Sequence, residues 1–139
     1  MFQRKQTIFL LLAGILPAGL FKADLAIWPT SEKAMVYGDN ILDISDNTAL
    51  LISTIAAIVL CLVAMLLFKN RKLQLNIVYL AILGLIALLG LSAFFISNAP
   101  GFQPAIGLAL PVISILLVVL ASRGIKSDEK LVRSSDRLR

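Results

Sequence analysis

The stretch TALLISTIAAIVLCLVAMLLF, from Thr48 to Phe68, decides the fold. It carries no charge and no proline. At about 1.5 Å per helical residue it matches the roughly 30 Å hydrocarbon core of a bilayer. The stretch is therefore read as a membrane-spanning helix. Asp46 or Asn47 stands where it can cap the first turn. Ser53, Ala57 and Cys61 recur every four residues, which predicts a face of small side chains that lets another helix approach closely. Cys61 is read as one of these packing residues. As the single cysteine of the chain it can form no internal disulfide.

Working outward, Lys69-Asn70-Arg71-Lys72 is a short basic turn, so a third span over about 75–97 should return antiparallel. Gln74 and Asn76 stand at its entrance. They are read as capping the turn, with a lipid headgroup, a partner or the adjacent tail as alternatives. Gly84 and Gly90 are expected at close helix contacts. Asn98-Ala99-Pro100-Gly101 is a turn signal, and a fourth span follows over about 104–122. Pro104 suits its first turn, and Pro111 predicts a kink within it.

Toward the N-terminus, the apolar run Ile8 to Phe21 covers only about 21 Å. A helix over about 6–28 would be long enough to span, with Lys22 snorkelling, Trp28 in the aromatic belt and Pro17 kinking the helix. The competing reading is a signal peptide ending at Ala23, which Phe21 fits poorly. The loop over 29–47 contains two short apolar runs about Gly38-Asp39-Asn40, which suggests a β-hairpin. Its acidic residues do not have the spacing of a calcium-binding loop, so they are read as a solvated surface. In the tail over 123–139, Leu131, Ser135 and Leu138 share a helical face, and Glu129 and Arg133 stand at i,i+4. An amphipathic helix, continuing from span four or lying below it, is expected there.

Composition agrees with the spans. Hydrophobic residues make up 59% of the chain and charged residues 15%, and the mean hydropathy is +0.93. Soluble domains sit near roughly 45–50% and 25%. Eleven of the thirteen Lys and Arg residues fall before the first span, between the second and third, or after the fourth. Only Lys22 and Lys33 lie in the other loops. Lys and Arg collect in cytoplasmic segments near membrane ends, so both termini are read as cytoplasmic. The net charge of +5 is explained by topology and by anionic lipid headgroups, not by nucleic acid. The chain has no histidine, and spans two to four hold no ionisable residue between their ends. A pump, an ion-coupled carrier and a membrane hydrolase are all disfavoured. No catalytic, cofactor-binding or metal-binding residue is assigned, and the chain is not read as an enzyme.

Three blocks carry a resemblance. They are Met1-Phe2-Gln3-Arg4-Lys5-Gln6-Thr7, then Leu67-Phe68-Lys69-Asn70-Arg71-Lys72-Leu73-Gln74, then the ending from Lys126 to Arg139. The chain resembles the uncharacterised bacterial four-span membrane proteins grouped as domain of unknown function 4293. Phe2 and Lys5 depart from the Ile usual in that family at both positions. The resemblance implies a four-helix inner-membrane protein and supplies no activity, cofactor or catalytic residue.

The reading is an all-α membrane protein, a four-transmembrane-helix bundle in a single integral domain over 1–139, multi-pass in a bacterial inner membrane. Its expected function is that of a scaffold or accessory subunit of an inner-membrane complex for export, insertion or envelope assembly. Expected partners are the lipid bilayer, other inner-membrane proteins and anionic lipid headgroups. The candidate partner-binding residues are Arg4, Gln6, Arg71, Gln74, Asp128, Glu129, Arg133, Asp136 and Arg137, because long polar and charged side chains form charge-assisted hydrogen bonds. The alternatives are a small transporter, channel or lipid-handling protein, and more remotely an enzyme with a metal held by Asp128, Glu129 and Asp136.

Overall fold

A computed structural model describes residues 2–27, 41–98, 101 and 103–136, with the helical backbone alone at 2–5 and 132–136. Four helices dominate: α1 (Phe2–Ala18), α2 (Thr48–Leu66), α3 (Arg71–Asn98) and α4 (Ala109–Asp136). Three two-residue strands, β1 (Ala26–Ile27), β2 (Ile41–Leu42) and β3 (Gln103–Pro104), lie in the connections.

Local chemistry sets the helix ends. The Asn47 side chain accepts the Ala49 N–H at 2.9 Å and starts α2. Asp46 instead accepts the Asp43 N–H at 2.7 Å, closing a capping box around the 3-10 turn Ile44–Asp46. At the α2–α3 turn the Asn70 carbonyl accepts from Gln74 N at 2.9 Å, and its side chain accepts from Leu73 N at 3.3 Å. Asn70 is thus the N-cap of α3, and the helix begins at Arg71 rather than near 75. Pro17 falls in the last turn of α1. The helix tightens beyond it into a 3-10 turn at Gly19–Phe21, and Lys22 N closes that turn on Gly19 O at 3.0 Å. The expected continuation of the first span to residue 28 is therefore corrected. The chain leaves the helix at Lys22 and enters β1, and Trp28 lies outside the described residues.

Each helix packs on two others, α1 on α2 and α4, and α3 on α2 and α4. The result is a four-cornered, up-and-down bundle. Its interior combines large aliphatic side chains, among them Leu10, Val78, Leu85, Val118 and Ile125, with a set of small ones. Ala13, Ala57, Cys61, Ala64, Ala81 and Ala121 are all fully buried. A Cβ placed on Gly14 would come within 3.3 Å of the Cys61 Cβ, so α1 and α2 approach almost backbone to backbone. The small face of α2 holds at Ala57 and Cys61. Its next buried member is Thr54, whose hydroxyl donates to Leu50 O at 2.8 Å, while Ser53 is only half-buried. A Cβ on Gly84 would meet Leu60 at 3.8 Å, an ordinary contact. A Cβ on Gly90 would meet nothing within 4 Å, so the expectation of a close contact there is corrected.

Many further large apolar residues point outward. Leu83 is 63% exposed and Leu116 60%, with Ile52, Val59 and Ile86 similarly placed. A soluble bundle would not leave so many of them uncovered, because exposed Leu and Ile cost free energy in water. Three helices are long and apolar enough to cross a membrane, Thr48–Leu66, Arg71–Asn98 and Ile106–Leu131, with a shorter apolar helix at Gln6–Phe21. This is the surface of a membrane protein.

The strands form one antiparallel sheet in the order β2-β1-β3 at the end of the bundle away from the α2–α3 turn. Ala26 faces Leu42 and Pro104, and Ile27 faces Ile41 and Gln103. Two expectations change here. Ile41–Leu42 pairs with Ala26–Ile27; the other arm of the expected hairpin, 34–37, and its turn lie outside the described residues. Pro104 does not open a helix but lies in β3, where the missing N–H costs nothing on an edge strand. Pro111 falls in the first turn of α4 rather than mid-span, so it removes no bond from the helix interior. Leu20, Leu25, Ala26, Leu42, Ile44, Leu50 and Leu88 seal the sheet onto the bundle.

Candidate functional site

The opposite end gathers the basic segments. Antiparallel packing of α1 and α4 brings the start of one beside the end of the other, and the α2–α3 turn lies at the same level. The amide nitrogen of Gln6 on α1 donates to Oδ2 of Asp128 on α4 at 2.7 Å. Gln6 is only 8% exposed, so its polar amide needs this partner. Gly124, one turn before Asp128, provides the space. A Cβ there would come within 2.9 Å of Gln6 Cγ and 3.1 Å of its Nε2. From α3, Nη1 of Arg71 donates to the backbone carbonyl of Asp128 at 3.1 Å. One turn of α4 is thereby tied to both neighbouring helices.

Two further contacts stiffen this end. Gln74, 6% exposed, donates through Nε2 to the carbonyl of Ala64 at 3.0 Å. That carbonyl belongs to the last turn of α2, where no helical N–H remains to meet it. Gln74 therefore caps the hairpin it belongs to. The ammonium of Lys126 lies 5.2 Å from the centre of the Tyr79 ring, a cation–π contact between α4 and α3.

The nine candidate residues thus fall into groups. Gln6, Arg71 and Asp128 come together as one internal clasp. Gln74 is spent on the α2 terminus. Glu129 is half-buried on α4 next to the clasp. Arg4 lies on the first turn of α1, and Arg133 and Asp136 on the last turns of α4. Arg137 lies outside the described residues. Of the two placements expected for the tail helix, the continuation of span four holds, because α4 runs unbroken from Ala109 to Asp136. Gly124 and Tyr79 are the residues of this end that sequence reasoning missed. An isolated glycine inside a helical pattern was the available signal for the first, and a tyrosine one or two turns inside a span for the second. Among the described residues, no three His, Cys, Asp or Glu side chains are grouped so as to hold a metal ion.

The arrangement is suited to holding one helix in a fixed direction. Gln6, Arg71 and Asp128 are partnered within the chain, through bonds that link α1, α3 and α4.

The family model Domain of unknown function (DUF4293) matches residues 2–138. The chain belongs to that family. No curated protein and no solved structure matches it.

Proposed function

We propose that this member of the DUF4293 family is a scaffold or accessory subunit of an inner-membrane protein complex. In this reading it spans a bacterial inner membrane four times, with both termini in the cytoplasm, and docks its partner through the basic end of the bundle. The observation that carries the proposal is the reach of α4. Twenty-eight helical residues extend about 42 Å, against a hydrocarbon core of about 30 Å. The last two to three turns, with Lys130, Arg133 and Asp136, therefore stand clear of the membrane. The clasp at Asp128 fixes their direction. A rigid, charged helical arm emerging from an otherwise apolar bundle suits recognition of another protein by charge-assisted pairs.

The division of labour follows from the geometry. Gln6 and Arg71 act by holding the arm, Gln74 acts by closing the α2–α3 turn, and Arg133, Asp136 and Arg137 act by contact. The first helix is the shortest span, and a local thinning of the bilayer or a tilt of its neighbours accommodates it. The test is purification of the tagged protein from native membranes in mild detergent. A stoichiometric partner is expected, and its loss is expected when Arg133→Glu and Arg137→Glu are combined. A clean monomer with no associated protein refutes the proposal.

A further inference from the structure

The seam between α3 and α4 at the basic end carries a second kind of recognition. Lys126 lies over Tyr79 with its ammonium 5.2 Å from the ring centre. Arg71, at the start of α3, gives Nη1 to a backbone carbonyl of α4 rather than to a carboxylate. Asp128, at the same level, already accepts the Gln6 amide on the α1 side. Arg123 and Lys126 are both exposed on α4, and Lys72 is exposed beside Arg71. Asp128 and Glu129 reduce the local field without cancelling these four cations.

Above the cations the seam turns apolar. Tyr79, Leu83 and Ile86 recur at helical spacing on α3, and all three are exposed. On α4 Arg123 and Lys126 share a face with Leu116 and Val112, both exposed as well. Cations at the bottom, a tyrosine at the boundary and exposed aliphatic side chains above reproduce the profile of an anionic phospholipid. The phosphate would meet the cations, the Tyr79 ring would sit at headgroup depth, and the acyl chains would lie along the aliphatic rows.

We propose that the α3–α4 seam is a binding site for one anionic phospholipid of the leaflet that faces the basic end, with Lys126 and Arg71 as headgroup ligands. The proposal rests on the membrane reading of the bundle and not on any protein partner. Lipid bound at this seam would brace α4 from the side opposite Gln6, so the arm would be held by α1 on one flank and by the membrane on the other.

The test uses the purified full chain without a partner, so that failure of the docking proposal leaves it intact. Native mass spectrometry is run after mixing with equal amounts of phosphatidylglycerol and phosphatidylcholine, with glycerol phosphate as a water-soluble arm. One phosphatidylglycerol should be retained in preference to phosphatidylcholine, and glycerol phosphate should not displace it. Lys126→Glu should weaken that retention roughly tenfold or more, since it removes one cation and adds one anion at the headgroup. Lys126→Gln should have a smaller effect in the same direction and guards against misfolding of the reversal. Lys22→Glu, at the far end of the bundle, should leave retention unchanged. Equal retention of the two lipids, displacement by glycerol phosphate, or unchanged retention in both Lys126 variants overturns the proposal.

Discussion

Gly124→Ala tests the clasp through a change of sign. Gly124 lies inside α4, where alanine is the better helix former by about 0.8–1.0 kcal/mol. Taken alone, the substitution should stabilise the protein. The structure predicts the reverse. The new Cβ would come within 2.9 Å of Gln6 Cγ, so the Gln6 side chain must move. That movement breaks its 2.7 Å bond to the Asp128 carboxylate. A hydrogen bond to a charged group contributes about 1.5–3 kcal/mol, and the net loss is therefore about 0.5–2 kcal/mol. With Gln6→Ala already in place there is nothing to displace. Gly124→Ala should then stabilise by about 1 kcal/mol, the helix-propensity term alone. The four variants form a double-mutant cycle whose coupling energy equals the lost bond. Unfolding in mild detergent, followed by circular dichroism, reads all four. If Gly124→Ala shifts stability by the same amount in both backgrounds, Gln6 and Gly124 do not interact and the clasp is wrong.

Two further perturbations probe the rest of the bundle. Gly107→Ala places a Cβ against the backbone carbonyl of Asp24, which accepts the Gly107 N–H at 3.1 Å; a loss of about 1–3 kcal/mol in the same unfolding assay is expected. Gln74→Leu removes the donor to the Ala64 carbonyl and should cost about 1–3 kcal/mol, whereas Asn76→Leu, at an exposed position two residues on, should stay within about 0.5 kcal/mol of the parent.

The helices were legible where hydrophobicity alone decides. The α2 helix ends within two residues of its reading, because an uninterrupted apolar run has one explanation at that length. The errors lie where short-range chemistry outweighs hydropathy. Asn70 starts α3 four residues early because an N-cap acts on backbone groups, not on polarity. A two-residue strand has no period to detect, so Ala26–Ile27 looked like the end of a helix, and Pro104 looked like the start of one. The basic blocks were legible as one end of the molecule. Their internal pairing was not, because Gln6 and Asp128 stand 122 positions apart and nothing in either neighbourhood names the other. Gln6 read as an outward-facing polar residue, yet it is buried, since it meets a group on a helix that sequence distance hides; Gln74 read as capping the turn, and its bond to the Ala64 carbonyl, ten residues away, does so.

Orientation is the claim on which the docking arm depends. An enzyme reporter that works only outside the cytoplasm, fused after Arg139 and separately after Asn98, measures it directly. The account predicts an inactive fusion at Arg139 and an active one at Asn98. Activity at Arg139, or silence at Asn98 in a fusion that is stably inserted, would contradict it.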